Sequence, residues 1–215
     1  MICAIVLAAG KSVRMGTQKL LLPVDGQPAI ARIVGAVAAC PAVRDIIVVT
    51  GRDGPKVSSV LAGYGVSFVA NPDHDGDMLS SLRCGIDALP GSCTAFLVVL
   101  GDQPRITSKL IETLLAAHPL HSPSAILVPL VASRRGHPIL VSTVHCESIM
   151  TGFDGIGLRG LLTADPESVV DVPFPEEFAD HMRDMDTPAA YEQLLANKGR
   201  RTARQVKKER RERNM

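Results

Sequence analysis

The sequence predicts an α/β fold: a three-layer, doubly wound sheet of mostly parallel strands. Three observations lead there. Short, continuous apolar runs at 2–8 (ICAIVLA), 45–50 (DIIVVT) and 95–100 (AFLVVL) have the length of strands and the uniform apolarity of strands covered on both faces. Between them lie stretches with helical spacing, so strands and helices alternate over the first 120 residues, as right-handed crossovers between parallel strands require. The composition is 46% apolar but only 3% aromatic, with no tryptophan. A core of Val, Ile, Leu and Ala suits a sheet sandwiched by helices and argues against a single-stranded nucleic-acid binder, which needs aromatic stacking platforms.

The elements follow in order. ICAIVLA ends at small residues and a glycine, so a loop is expected directly after the first strand. Residues 27–40 carry Ile30, Ile33, Val34 and Val37 on one helical face, with Pro28 near the helix start. The strand at 45–50 stops at Gly51. A helix is expected over 55–62 and a third strand at 66–70, and Asn71-Pro72 opens a loop. Leu79, Leu82, Ile86 and Leu89 mark a helix over 79–89. The strand at 95–100 reads as the central one and leads into Gly101-Asp102-Gln103-Pro104; Thr107 caps a helix over 107–117. Residues 125–131 form a strand whose Pro129 predicts an edge or a bulge. Residues 139–141 are extended, and helices are expected near 143–150 and 156–164. Val169, Val170 and Val172 suggest a late strand, and Pro188 starts a last helix at 188–196.

A chain of 215 residues with this pattern is long enough for one well-packed domain, expected at 1–197. The net charge of +1 conceals an asymmetry: residues 198–215 carry nine Lys/Arg against two Glu, or +7, leaving −6 for the rest. That basic segment lacks apolar periodicity and is expected to be a disordered tail. The five cysteines are odd in number with no C-x-x-C pair, which points to free thiols and away from a zinc site. Neither a signal-peptide pattern nor an apolar run of membrane-spanning length is evident, so a cytoplasmic location without membrane association is expected.

The chemistry gathers at two kinds of position. Leu7-Ala8-Ala9-Gly10-Lys11-Ser12-Val13-Arg14-Met15-Gly16, followed by Lys19, is neither a dinucleotide fingerprint nor a Walker A motif. Its physical content is similar: small residues after a strand let backbone N–H groups approach phosphate oxygens, Arg14 offers a fork, and Lys19 a point charge. A surface turn with two ordinary cations is the bland alternative. Asp102, just past a central strand, lies where ligands bind in open α/β sheets. A carboxylate there suits Mg²⁺, although a turn or cap role is also open. Asp186 is the second carboxylate; Asp186 or Thr187 could equally cap the helix begun by Pro188. Asp73, Asp75 and Asp77 lack the glycine and glutamate of a calcium loop, which excludes that reading.

Together these segments resemble the MobA-like nucleotidyltransferases, most closely the molybdenum cofactor cytidylyltransferase branch. The resemblance rests on LAAGKSVRMGTQKLLLPVDGQP at 7–28, NPDHDGDMLSSLRCGI at 71–86, VVLGDQP at 98–104, RRGHPIL at 134–140 and DMDTPAAYEQL at 184–194. It implies a Rossmann-like nucleotidyltransferase fold and transfer of CMP from CTP to the terminal phosphate of the molybdopterin form of the molybdenum cofactor, releasing pyrophosphate. It implies that Leu7, Ala8, Ala9, Gly10, Ser12, Arg14, Gly16 and Lys19 line the nucleotide, with Ala8 and Ala9 leaving room for the base. Arg14, Lys19 and Asp102 would be the catalytic residues, and Asp102 and Asp186 would position Mg²⁺. Ser80, Ser81 and Arg83 would lie beside the nucleotide or the acceptor phosphate, and His137 on the acceptor side. For Ser80 a helix cap, and for His137 a loop histidine holding backbone carbonyls, are the alternatives. Asp154 matches the family's G-D-x-G segment imperfectly, because Phe153 precedes it.

The rival readings keep the fold but change the base or use a sugar or alditol phosphate acceptor, or make the chain a non-catalytic accessory protein of a molybdoenzyme. The expected partners are CTP and the molybdopterin-type cofactor, with a molybdoenzyme or its insertion chaperone as a further candidate. A nucleic-acid partner is not expected, and the chain is expected to be a monomer.

Overall fold

The computed structural model describes residues 1–118 and 122–196. The predicted tail at 198–215 lies outside the described residues. Among those described, β1 (Ile2–Ala8) is followed by a hairpin of β2 (Pro23–Val24) and β3 (Gln27–Pro28), then α1 (Ala29–Ala38), β4 (Val43–Thr50), α2 (Gly54–Val60) and β5 (Ser67–Ala70). The chain continues through α3 (Met78–Asp87), β6 (Ala95–Leu100), α4 (Ser108–Ala117), β7 (Ile126–Val131), β8 (Arg134–Arg135) and β9 (Ile139–Ser142). It ends with α5 (Cys146–Thr151), α6 (Leu158–Ala164), β10 (Val169–Phe174) and a helix at 188–196, here α7.

The main sheet runs β10-β7-β9-β6-β1-β4-β5, with β8 paired to β7. β1 is parallel to both β4 and β6. The chain therefore winds outward from β1 to β4 and β5, then returns to add β6 on the other side of β1. That reversal leaves a crevice at the C-terminal ends of β1 and β6, where loops diverge in opposite directions. β9 is antiparallel to β6 and β7, so the sheet is mixed but mostly parallel.

Side-chain alternation divides the core into two layers. Ala4, Val6 and Ala8 point toward α1 and α4, packing with Ile30, Ile33, Val37, Leu110 and Leu114. Cys3, Ile5 and Leu7 point the other way, among Leu79, Leu82 and Ile86 of α3 and Ile149, Leu158 and Leu161 of α5 and α6. These two faces account for the uniform apolarity of β1, because no side of the strand meets water.

Most expected elements are present within a few residues. Thr107 caps α4 as predicted, its side chain accepting from the Leu110 N–H at 3.3 Å. Two details differ. β7 is interior, between β10 and β9. Pro129 is accommodated because pairing with β9 is confined to Leu127–Leu140, and the Pro129 carbonyl takes the Gly136 N–H instead. α3 begins at Met78, and its cap is Asp77, which accepts the Ser80 N–H at 2.9 Å, rather than Ser80. The five cysteines are free, and no described helix is long and apolar enough to cross a membrane.

Candidate active site

The loop leaving β1 reaches the sheet edge through left-handed turns at Ser12 (φ 51°) and Gly16 (φ 65°), with a short 3₁₀ turn between them. Ser12 fixes its path. The hydroxyl donates to Gln18 Oε1 at 2.9 Å and accepts the Lys19 N–H at 3.1 Å. Gln18 in turn donates to Asp53 at 3.0 Å. This chain of contacts delivers the Lys19 side chain, buried to 8% exposure, into the crevice.

Lys19 Nζ bridges two carboxylates, Asp102 Oδ2 at 2.7 Å and Asp186 Oδ1 at 2.5 Å. Arg14, largely exposed, pairs with the other oxygen of Asp186 at 2.5 Å. Asp102 follows β6 through Gly101, whose N–H donates to the Leu7 carbonyl at 3.0 Å. A Cβ at Gly101 would lie 2.6 Å from that oxygen, so only glycine permits this approach of β1 and β6. Asp186 arrives from the far end of the chain. The Met185 N–H donates to the Asp102 carbonyl at 3.1 Å, and Met185 is fully buried. The cap of α7 is Thr187, which accepts the Ala190 N–H at 3.2 Å. The choice between Asp186 and Thr187 is thereby resolved: Thr187 holds the helix and Asp186 is free to face Lys19.

Burial opposes charge on all three groups, and they respond differently. Burial alone would lower the Lys19 pKa, but the flanking carboxylates outweigh it and hold the pKa above the ordinary lysine value. Burial, together with repulsion from Asp186 and Asp184, raises the Asp102 pKa despite the pull of Lys19. Asp186 is less deeply placed; burial works against it, yet Lys19 and Arg14 keep its pKa below the usual carboxylate range. Asp102 Oδ1 is buried with no hydrogen-bond partner. An orphaned carboxylate oxygen beside a second carboxylate is a donor set that fits a hard cation sharing oxygens with phosphate. No group of three or more His, Cys, Asp or Glu suited to a metal occurs among the described residues.

Two cavities meet here. The first, about 320 Å³, is lined by Leu7, Ala9, Gly10, Lys19, Ser81 and Asp102, with Lys11 and the turn at Gly76–Asp77 at its rim. The second, about 980 Å³, extends toward β7, β8 and α6 and contains His137, Arg134, Arg159 and Asp184. Met78 and Leu100 form part of both walls.

The predicted residues thus separate. Leu7, Ala9, Gly10, Lys19, Ser81 and Asp102 share the smaller cavity, with Arg14 and Asp186 joined to it through Lys19. Ala8 lies outside its lining, because strand alternation turns its side chain into the core. Ser12 and Gly16 shape the loop. Ser80 and Ser81 both accept from Asn71 Nδ2, at 2.9 and 3.0 Å. Arg83 spends its donors elsewhere, on the carbonyls of Ile149 and Gly152 and on Asp154. It clamps the turn after α5, and Asp154 serves as its counter-ion. His137 lines the larger cavity; burial lowers its pKa to about 4, and its Nε2 has no partner. Sequence reasoning passed over Gln18, Asn71, Met78 and the Lys11–Asp75 pair. Of these only Asn71, closing a strand beside the sheet edge, carried a local signal.

The sequence profile of the MobA-like NTP transferase domain matches residues 4–169. Molybdenum cofactor cytidylyltransferase of Escherichia coli K12 is 29% identical over 186 residues, covering 86% of this chain and 90% of that protein. Molybdenum cofactor guanylyltransferase of Rhodobacter capsulatus is 30% identical over 128 residues, 57% of this chain and 62% of that protein. The match to the bifunctional protein GlmU of Geotalea daltonii, at 34% identity, is partial: it takes in 54% of this chain and only 26% of that protein's length. Among solved structures, the Rv0371c homologue from Mycobacterium sp. strain JC1 superposes with a TM-score of 0.79 at 27% identity, over 93% of this chain and 97% of that one. The chain belongs to the MobA-like NTP transferase family.

Proposed function

We propose that this member of the MobA-like NTP transferase family transfers CMP from CTP to the terminal phosphate of a molybdopterin-type cofactor, releasing pyrophosphate. The observation that carries the reading is Lys19, lining the smaller cavity and held between Asp102 and Asp186, with the larger cavity adjoining it across Met78 and Leu100. The E. coli cytidylyltransferase, similar along most of both chains, supports the choice of base and acceptor.

The chemistry needs little acid–base work. A phosphate monoester oxygen on the acceptor, largely ionised near neutral pH, attacks the α-phosphorus of CTP. The bond to the α–β bridging oxygen breaks, and its electron pair leaves with pyrophosphate. Lys19 and Arg14 compensate the negative charge that develops on the leaving group. The loop from Ala9 to Gly16 holds the triphosphate in line, so alignment supplies much of the remaining acceleration. Mg²⁺, held by Asp102 and Asp186, would screen the phosphate charges and polarise the reacting phosphoryl group. His137, neutral and half-buried with an unpartnered Nε2, supplies a polar contact to the acceptor in the larger cavity. Arg83 acts indirectly, by holding the turn at 152–154 between α5 and α6.

The test is incubation of the purified protein with Mg²⁺, molybdopterin cofactor and CTP, GTP or ATP, followed by identification of the dinucleotide and of pyrophosphate. CTP-selective product is expected. Selectivity for GTP would replace the base assignment by that of the R. capsulatus relative. Tight nucleotide binding without product would support a non-catalytic accessory role instead.

A further inference from the structure

Three cations line the opening loop, and each is neutralised by an aspartate from another segment. Arg14 and Lys19 meet Asp186 and Asp102. The third is Lys11, immediately after Gly10. Its Nζ reaches the Asp75 carboxylate at 2.9 Å and the Asp75 carbonyl at 3.2 Å. Gly10 and Lys11 border the smaller cavity on one side, and Gly76, Asp77 and Met78 border it on the other. The Lys11–Asp75 contact therefore joins two rims of one cavity. It does so at the solvent edge, with side-chain exposures of 45% and 90%.

The Asp75 side of this bridge is built in advance. Asn71 Oδ1 accepts the Asp73 N–H at 2.9 Å, and Asp73 Oδ1 accepts the Asp75 N–H at 3.1 Å. A Cβ at Gly76 would lie 2.2 Å from Ser80 Oγ and 2.5 Å from Asp73 Oδ2, so the turn closes tightly against the start of α3. A scaffolded loop presents one carboxylate to one lysine. An exposed ion pair is worth little by itself, so it yields readily to a stronger competitor for the same cation. A triphosphate, with its several charges, is such a competitor.

We infer that Lys11 and Asp75 form a strap across the mouth of the nucleotide cavity, which opens when Lys11 exchanges the Asp75 carboxylate for a triphosphate oxygen. Lys11 is then a triphosphate ligand and Asp75 its counter-ion in the free protein. This rests on the reading of the smaller cavity as the nucleotide site.

The experiment compares CTP and inorganic tripolyphosphate binding, by calorimetry and stopped-flow mixing, to the full chain and to Lys11→Met, Lys11→Arg, Asp75→Asn and the Lys11→Met/Asp75→Asn double variant. Lys11→Met is expected to weaken CTP and tripolyphosphate roughly tenfold, with Lys11→Arg restoring most of the loss. Asp75→Asn is expected to change affinity in the opposite direction, tightening CTP severalfold and accelerating association, because the lysine no longer needs to be released. In the double variant the gain from Asp75→Asn disappears. If both single variants weaken binding alike, the pair merely braces the two loops and the strap is refuted. If Lys11→Met binds as the wild type does, Lys11 is not a ligand. If the wild type binds neither CTP nor tripolyphosphate, the nucleotide-site reading itself fails and the strap with it.

Discussion

Lys19 sets the electrostatics of the site. It bridges two aspartates from remote segments, so replacing it leaves two carboxylates opposed and, on the proposed function, takes a cation from the triphosphate. Lys19→Met is expected to lower turnover by at least about 10²-fold, measured as pyrophosphate release. Asp102→Asn keeps the shape but abolishes the charge beside the orphaned Oδ1. A comparable loss in turnover, with a weakened dependence on Mg²⁺ concentration, would follow if Asp102 holds the metal; unchanged turnover would remove that assignment. His137 makes a prediction of different sign. Its pKa falls from about 6.5 to about 4 on burial, so the unfolded chain binds the proton more readily. The contribution is fully present above the unfolded pKa and is lost as pH falls from about 6.5 to about 4. Chemical denaturation across that range should show a loss of up to about 3 kcal/mol in the wild type. His137→Gln should lessen the dependence.

At the scale of elements, two local devices bring remote charges together. Gly101 lets β1 and β6 close at their C-terminal ends, and Gly101→Ala would force a Cβ against the Leu7 carbonyl. A loss of roughly 1–3 kcal/mol is expected, with activity falling further than stability because Asp102 shifts with the strand end. Thr187 is a cap without a direct role in the site. Thr187→Ala should cost about 1 kcal/mol, visible in the thermal midpoint, while Thr187→Ser restores it. If Thr187→Ala instead reduced turnover with stability intact, Thr187 would have to be counted within the site. The elements were readable because their signals are local: β1, β4 and β6 are apolar runs, Thr107 is a cap residue before a helical pattern, and Pro188 sits at a helix start. Pro129 and Ser80 misled for complementary reasons. A proline is tolerated inside a sheet where a neighbouring ladder has already ended, and an aspartate three residues earlier took the cap that Ser80 could have supplied.

At the scale of the whole molecule, the segment 184–196 closes the domain. It places Asp186 in the site, buries Met185 and Leu194, and anchors through Tyr191, whose hydroxyl donates to the Pro23 carbonyl at 2.7 Å. Arg105 also donates to the Leu194 carbonyl. A chain cut after residue 196, which keeps this segment, should therefore have a higher thermal midpoint and bind nucleotide more tightly than a chain cut after residue 183. Truncation after residue 183 should abolish activity and, by removing Met185 and Leu194, uncover Val24 and Ala29 that they pack against, detectable as increased dye binding and a lowered midpoint. Equal behaviour of the two truncations would mean that this closing segment contributes nothing.

What the sequence determined by itself was the layered α/β architecture, the small-residue, cation-bearing loop after β1, and the placing of Asp102 at a strand end. Each follows from near neighbours: apolar runs, small residues beside cations, a carboxylate after a strand. Tertiary structure decided which residues share a site. It turned Ala8 into the core while Leu7 and Ala9 face the cavity, because successive strand side chains point to opposite faces. It committed Arg83 to the turn after α5, and it drew Asp186 across 167 residues to Lys19. Such meetings depend on where the sheet reverses its winding and on one backbone contact between Asp102 and Met185, neither of which is written in any local stretch of sequence.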